Sequence, residues 1–222
     1  DEALRAADAQ IRTTIGAVLR DHLQEGGAWC GLDFNLIGAY LVDLNLVGAR
    51  FTGRNTWFTG ARFTGENTTF AEARFASEHT SFAEARFTGE NTSFDRAEFT
   101  GKTTSFAEAR FASELTWFAE ARFTGEHTSF AEARFTGENT TFAKAEFTGK
   151  NTTFAKAEFT GKTTLFAWAE FTGENTSFDR AEFTGENTLF ARAQFTGNRE
   201  RVFKGAVVPQ DALNGAHFAV EP

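Results

Sequence analysis

A phenylalanine recurs through most of this chain at alternating gaps of seven and five residues. The series runs from Phe51 through Phe58, Phe63 and Phe70 to Phe195 without interruption. The repeating unit is therefore twelve residues long, and FTGEHTSFAEAR is a representative copy. A period this short predicts one structural step per unit, which cannot bury its apolar side alone and must stack on its neighbours. The spacing thus favours a one-dimensional solenoid over a compact domain.

Phenylalanine also dominates the composition, with 28 Phe among 222 residues against one Tyr and no Met. One aromatic residue is therefore predicted to fill nearly all of the interior. The net charge of −8 disfavours a nucleic-acid binder, which needs a basic face, so no direct contact with nucleic acid is expected. The single Cys30 excludes an internal disulfide framework and favours a reducing compartment, which predicts a cytoplasmic protein.

Residues 1–27 are predicted to form an N-terminal capping unit built on a helix over residues 2–25. Its apolar positions follow the spacing of one helical stripe, and Gly26 and Gly27 end the pattern. The stripe consists of Ile11, Ile15, Val18, Leu19 and Leu23. A helix that binds a partner is the alternative to a cap. The chain contains no run of about 18 apolar residues, which predicts no membrane span. Because it does not begin with Met, we expect further sequence upstream.

From Trp29 the spacing becomes a strict five-residue step, in which Leu36, Leu41 and Leu46 lead to Phe51. Residues two apart on an extended segment face the same side. Each step therefore predicts an inward pair, one outward residue between its members and a corner. From Phe51 onward the same pattern continues, but every second corner is enlarged by two residues.

These five-residue steps, with a central Leu or Phe and often Ala or Thr two positions earlier, resemble pentapeptide-repeat proteins. The twelve-residue Phe-rich form is similar to a branch common in actinobacterial sequences. The resemblance implies an all-β, right-handed quadrilateral β-helix with four steps per coil, extending here over residues 28–198. Alternating steps of five and seven residues then predict coils of 24 residues in the Phe-rich part. Because neighbouring strands lie about 4.8 Å apart, four columns of stacked Phe rings are expected inside.

Most members of that family are uncharacterised, so the resemblance implies a fold rather than an activity. Some larger relatives carry membrane segments in additional N-terminal regions, which would make this chain one module of a membrane-associated protein. Near-identity of the units fits both a recently duplicated and an engineered array.

Residues 199–222 depart from the repeat and are predicted to form a C-terminal cap or tail. Their apolar residues would cover the last coil, which otherwise is an open sheet edge. These residues are Phe203, Val207, Val208, Leu213 and Phe218. A tail that joins two rods end to end is the alternative.

Outward charges are coupled at the shorter corners, as in Glu72 with Arg74 and Lys144 with Glu146. We interpret this as weak pairing between residues of one corner, which favours solubility. At the enlarged corners a carboxylate recurs after Gly, interrupted by Lys102, Lys150 and Lys162. The carboxylates are Glu66, Glu90, Glu126, Glu138, Glu174 and Glu186. In well-known pentapeptide-repeat proteins an acidic rod mimics DNA and occupies a type II topoisomerase, which gives one functional alternative.

Ser or Thr precedes Phe in most long steps, which predicts a flat hydroxyl face suited to ice or another flat surface. Large apolar residues interrupt this face and are the better candidates for a contact surface, because exposed aromatic residues mark interfaces. The candidate interaction residues are Trp57, Leu115, Trp117, Leu165, Trp168 and Leu189. By the coil period, Leu165 and Leu189 share a column, which leaves a homodimer open beside an unidentified protein partner.

The search for chemistry predicts no enzyme, with no catalytic, cofactor-binding or metal-binding residues. His79 and His127 are expected two coils, or about 10 Å, apart, too far to share a metal ion. Cys30 beside Trp29 is interpreted as a packed residue. The sequence therefore predicts a noncatalytic, rigid β-helical scaffold that interacts with proteins. The alternatives are an acidic regulator of a type II topoisomerase and a flat-surface binder.

Overall fold

The computed structural model describes residues 2–219 and is a four-sided parallel β-solenoid with a helix at its N-terminal end. One residue of the N-terminal unit, Asp1, and residues 220–222 of the C-terminal one lie outside the described residues. Each coil visits the four sheets in the same order, so we name them sheets I to IV in chain order. All recorded strand pairs are parallel, and each strand pairs with strands one coil away. The solenoid predicted from the Phe spacing and the all-β fold that the resemblance implies are confirmed.

The strands are short, and their positions follow the repeat. Sheet I contains β1 (Phe34–Asn35), β4 (Asn55–Trp57), β8 (His79–Ser81), β12 (Thr103–Ser105), β16 (His127–Ser129), β20 (Asn151–Thr153) and β24 (Asn175–Ser177). Sheet II contains β2 (Tyr40–Val42), β5 (Arg62–Thr64), β9 (Arg86–Phe87), β13 (Arg110–Phe111), β17 (Arg134–Phe135), β21 (Glu158–Phe159) and β25 (Glu182–Phe183). Most strands of sheet I contain three residues, and most of sheet II contain two.

Sheets III and IV repeat this alternation on the other two sides. Sheet III contains β6 (Asn67–Thr69), β10 (Asn91–Ser93), β14 (Leu115–Trp117), β18 (Asn139–Thr141), β22 (Thr163–Leu165) and β26 (Asn187–Leu189). Sheet IV contains β3 (Arg50–Phe51), β7 (Arg74–Phe75), β11 (Glu98–Phe99), β15 (Arg122–Phe123), β19 (Glu146–Phe147), β23 (Glu170–Phe171), β27 (Gln194–Phe195) and β28 (His217–Phe218).

The register confirms the predicted coil of 24 residues through the Phe-rich part, as Thr80 pairs with Thr104 and Phe87 with Phe111. The first coil is shorter, because Tyr40 pairs with Arg62 at a separation of 22. The enlarged corners lie between sheets IV and I and between sheets II and III, where they connect a two-residue strand to a three-residue strand.

Four columns of stacked phenylalanines fill the interior, as the spacing predicted. Ring centroids in successive coils are 4.5 to 5.0 Å apart, and the rings are parallel to within 9°. The columns are Phe58–82–106–130–154–178–203, Phe63–87–111–135–159–183, Phe70–94–118–142–166–190 and Phe51–75–99–123–147–171–195–218. Rings of the Phe130 and Phe142 columns meet nearly perpendicular, at 89°. Both contacts are geometries that aromatic pairs favour.

The shorter corners are tight turns with one left-handed residue. The N–H of Ala73 donates to the carbonyl of Phe70 (3.0 Å), and Glu72 between them has a φ of 59°. A positive φ at the third residue is the signature of a type II turn, which favours Gly. Gly38 and Gly48 have φ values of 66° and 67° at equivalent corners. Later coils place Glu, Lys, Arg or Trp there, which directs these side chains outward.

Glycine at the enlarged corners has a different cause, since most of these residues lack a positive φ. A Cβ on Gly149 would lie 1.8 Å from the carbonyl oxygen of Gly125 in the preceding coil. Ser77 and Ser113 take the place of glycine in two coils. Their hydroxyls point inward, 2.8 Å from those of Thr56 and Thr92.

Helix α1 (Glu2–His22) ends three residues earlier than predicted. One further helical hydrogen bond, from the N–H of Leu23 to the carbonyl of Leu19, completes its last turn before the two glycines. The carbonyl of Leu23 then accepts the N–H of Arg50 at the open edge of sheet IV. Leu19 and Leu23 are buried, whereas Ile11, Ile15 and Val18 are exposed. The apolar residues predicted to share one face of the helix are therefore buried only at its C-terminal end.

The C-terminal segment adds a last coil over all four sheets. Phe203 stacks on Phe178 and Phe218 on Phe195, which continues two interior columns. In place of a further sheet I strand the chain forms the short helix α2 (Arg199–Val202), capped by the Asn198 side chain. The predicted covering residues Phe203 and Phe218 therefore pack on the core, whereas Val207 is exposed.

Candidate interaction surface

Outward Ser and Thr residues on sheets I and III have a structural role at the following corner. The N–H of Ala83 donates to Oγ of Ser81 (3.3 Å), and the N–H of Ala143 donates to Oγ1 of Thr141 (3.1 Å). Such a bond to the residue two positions on is the side-chain turn that Ser and Thr favour. The hydroxyl face predicted from the sequence is thus already occupied in part by backbone hydrogen bonds.

Five of the six candidate residues lie on one side of the rod. Trp117, Leu165 and Leu189 occupy one column of sheet III, with Thr141 in the coil between Trp117 and Leu165. Leu115 lies on the same sheet, and the corner after β22 carries Trp168. We call Leu115, Trp117, Leu165, Trp168 and Leu189 the apolar stripe. The sixth residue, Trp57, belongs to sheet I, and the structure does not bring it to the others.

The apolar stripe is partly open to solvent. Leu189 and Trp168 are 44% and 52% exposed, and the other three side chains are half-buried. The Arg192 guanidinium lies 4.4 Å from the centre of the Trp168 ring, a cation–π contact. In this column of sheet III, large apolar side chains thus occupy three coils, and the other three coils carry Thr69, Ser93 and Thr141.

Asp95 compensates for one of these replacements, which sequence reasoning missed. Trp117 has no hydroxyl for the N–H of Ala119, and Oδ1 of Asp95 in the preceding coil accepts that bond instead (2.9 Å). Burial raises the pKa of Asp95, while the bond from Ala119 opposes the rise. The sequence signal is Asp95 at a position where most coils have Ala. Its relation to Ala119, 24 residues later, can be recognised only once the register of the coils is known.

A column of mostly acidic residues borders one edge of the apolar stripe. The corner between sheets II and III carries Glu66, Glu90, Glu114, Glu138, Lys162 and Glu186, one per coil. Lys162 pairs with Glu138 at 2.7 Å. Among the described residues, Glu66, Glu90 and Glu114 have no cation within 4 Å. The corner between sheets IV and I instead mixes signs, with Glu78, Lys102, Glu126 and Lys150 in successive coils. The carboxylates predicted at enlarged corners therefore form two separate columns.

The predicted pairing of charges within one shorter corner is wrong. Glu72 pairs with Arg96 (3.0 Å) and Arg74 with Glu98 (2.6 Å), each one coil away. The left-handed residue and the strand residue two positions later point in different directions, whereas equivalent residues of successive coils are neighbours in the sheet. Apart from the pair that Arg180 forms with its neighbour Asp179, ion pairs at the shorter corners therefore connect coils along the rod.

The histidines and the cysteine occupy separate places. His79 and His127 lie on either side of Thr103 in sheet I, and His79 Nδ1 lies 2.8 Å from the Thr103 hydroxyl. Cys30 is half-buried and donates to the carbonyl of Gln24 (3.1 Å), as expected of a packed residue. Within residues 2–219, no three His, Cys, Asp or Glu side chains are grouped closely enough to hold a metal ion.

Comparison with known proteins identifies no relative of this chain. No protein-family model, curated protein or solved structure matches the chain. In the described part of the chain, neither helix combines the length and the apolar character that a membrane span requires. The surface geometry therefore carries the functional interpretation.

Proposed function

We propose that this chain is a noncatalytic pentapeptide-repeat rod that presents the apolar stripe to a protein partner. Residues 1–27 and 199–222 act as its caps and residues 28–198 as the repeat. The observation that carries the proposal is the replacement of small hydroxyl residues by Trp117, Leu165 and Leu189 in one exposed column of sheet III. Such residues add nothing to the interior, which the Phe columns already fill.

The stripe favours a partner segment that lies along the rod axis. Its column repeats once per coil, about 4.8 Å, close to the 5.4 Å pitch of an α-helix. Apolar residues on the first, third and fourth turns of such a helix would therefore lie opposite Trp117, Leu165 and Leu189, with Thr141 opposite the second turn. The acidic corner column beside Leu115 and the Arg192 guanidinium beside Trp168 would contact charged residues on opposite edges of that helix.

Capture from a lysate of the source organism tests this proposal. We expect that changing Trp117, Leu165 and Leu189 to Ser together lowers recovery of the partner by about tenfold or more, since buried aromatic anchors dominate interfaces. Serine is the residue of many other coils, so the introduced hydroxyls can form the corner hydrogen bond that Ser81 forms. Trp57→Ser is the matched control, because it makes the same change on sheet I. Equal recovery by all three proteins would refute a role for the stripe.

The two alternatives remain distinct proposals. The column Glu66, Glu90 and Glu114, without cationic partners, favours a DNA-mimicking regulator of a type II topoisomerase. Inhibition of DNA supercoiling by micromolar protein would support that function, and an unaffected enzyme would remove it. A flat-surface binder would need free hydroxyls, many of which accept corner N–H groups here.

A further inference from the structure

Sheet II carries its charges in two blocks. Its outward residues form one column in register along the rod, cationic in the N-terminal coils and anionic in the C-terminal ones. The column is Arg62, Arg86, Arg110, Arg134, Glu158 and Glu182. Like charges that face each other on adjacent strands repel, so this order is unfavourable within one molecule.

The corner between sheets I and II carries the opposite blocks. Its left-handed residues point outward beside the sheet II column and change sign at the same coil. They are Glu84, Glu108, Glu132, Lys156 and Arg180. Each coil thus presents one cation and one anion, and the order of the two reverses after Arg134.

Six of these eleven charges have no ion-pair partner within the part of the chain that the structure describes. Ion pairs form where the sign changes, between Arg134 and Glu158 (3.4 Å) and between Lys156 and Glu132 (2.9 Å). Arg180 pairs with Asp179. Among residues 2–219, no opposite charge lies within 4 Å of the remaining members, which are Arg62, Arg86, Arg110, Glu84, Glu108 and Glu182.

The charges on sheet IV and on the corner between sheets III and IV are arranged differently from those of sheet II. From Arg74 to Glu146 the signs there alternate from coil to coil, and the charges pair along the rod. The pairs are Glu72–Arg96, Arg74–Glu98, Glu120–Lys144 and Arg122–Glu146. The same fold can therefore neutralise such columns internally, but the columns of sheet II and its neighbouring corner pair along the rod only where the sign changes.

We propose that sheet II is a self-association surface that binds a second copy of this chain in antiparallel orientation. A two-fold axis perpendicular to the rod at the coil of Arg134 brings Arg86 opposite the partner's Glu182 and Arg110 opposite the partner's Glu158. In the corner column it brings Glu84 opposite the partner's Arg180 and Glu108 opposite the partner's Lys156. Both columns are thus self-complementary on either side of the axis. At the axis itself Arg134 and Glu132 face their own copies, and each is paired within the chain, with Glu158 and Lys156 respectively.

This interface is small and polar, so its strength depends on salt. The five coils span four spacings, or about 19 Å along the rod. Exposed ion pairs are individually weak, and salt screens them over a Debye length of about 10 Å at 0.1 M. We expect a reversible dimer at low ionic strength that dissociates as salt is added.

Two charge-reversed variants and their mixture test the proposal by sedimentation equilibrium. One carries Arg86→Glu and Arg110→Glu, and the other carries Glu158→Arg and Glu182→Arg. Each should associate at least about tenfold more weakly than the wild type, because identical charges then face each other. An equimolar mixture should associate again, since the reversed columns complement each other at every one of these positions.

A matched control places the same change on sheet IV. Arg74→Glu with Arg122→Glu should leave association unchanged, and circular dichroism should show the same fold for all variants. A wild type that is monomeric at low salt would overturn the proposal. So would a dimer that persists in both charge-reversed variants, or a mixture that associates no better than its components.

Discussion

Replacing Phe130 by Ala is expected to lower the free energy of unfolding by about 3–5 kcal/mol. The ring is fully buried and stacks between Phe106 at 4.8 Å and Phe154 at 4.7 Å. It also meets Phe118 and Phe142 edge-on, at 5.6 and 5.5 Å. The cavity cannot collapse without moving strands on both sides, because the parallel ladders fix the distance between coils. Urea denaturation followed by circular dichroism measures the loss.

Phe218, at the C-terminal end of the Phe-filled interior, is the control for Phe130. Phe218 stacks within its column on Phe195 alone and is only half-buried. Phe218→Ala should therefore destabilise clearly less than Phe130→Ala. A loss below about 1 kcal/mol at Phe130 would be too small for a buried core aromatic and would contradict the stacked interior.

Replacing Asp95 by Ala is expected to destabilise the protein by about 1–2 kcal/mol, because the half-buried N–H of Ala119 then lacks an acceptor. The same change in a Trp117→Ser background should have a much smaller effect. The introduced serine hydroxyl would accept the N–H of Ala119, as Ser81 accepts that of Ala83 in another coil. A double-mutant cycle measured by urea denaturation gives the coupling. Additive effects would show that Asp95 does not substitute for the missing hydroxyl.

The contribution of Asp95 to the stability of the folded protein is expected to decrease as pH rises. Burial raises the pKa of Asp95 in the folded protein above its ordinary value of 3.8. The stability contribution of this carboxyl is then fully present below that value and decreases as pH rises through the folded pKa. Asp95→Asn keeps an acceptor oxygen without the charge. It should therefore be more stable than the wild type at about pH 7, with the difference vanishing at about pH 3 in urea denaturation.

The interior could be predicted from sequence because it depends on one residue type at one period. Phe130 and its equivalents fix the coil length, and strand spacing then determines that their rings stack. The outward pairing of Glu72 with Arg96 could not be predicted in the same way. It depends on the direction of a left-handed corner residue, which the spacing of charges does not show. The hydrogen bond between Asp95 and Ala119 could be predicted only by someone who knew the register of the coils and knew that Ser and Thr accept corner N–H groups.

The terminal helix shows a second limit of periodicity. The spacing of Ile11, Ile15, Val18, Leu19 and Leu23 correctly predicts a helix. It does not predict how many of these residues the solenoid buries. Only the last two are buried in the core. The middle of the helix meets the first coil through Arg12, which donates to the carbonyl of Tyr40, and not through these apolar residues. The distinction between a cap and a partner-binding helix therefore comes from packing. Here Leu23 closes a sheet edge while Ile11 and Ile15 stay open to solvent.

The central claim is that each 24 residues advance the chain by one coil along a straight rod. Pulsed electron paramagnetic resonance on spin-labelled pairs tests it most directly. In a Cys30→Ser background, labels at Thr64 and Thr160 are four coils apart, and labels at Thr64 and Thr184 are five. The corresponding backbone separations are about 19 and 24 Å, so the second measured distance should exceed the first by about 4.8 Å. Equal distances, or distances that do not increase with coil number, would contradict the solenoid.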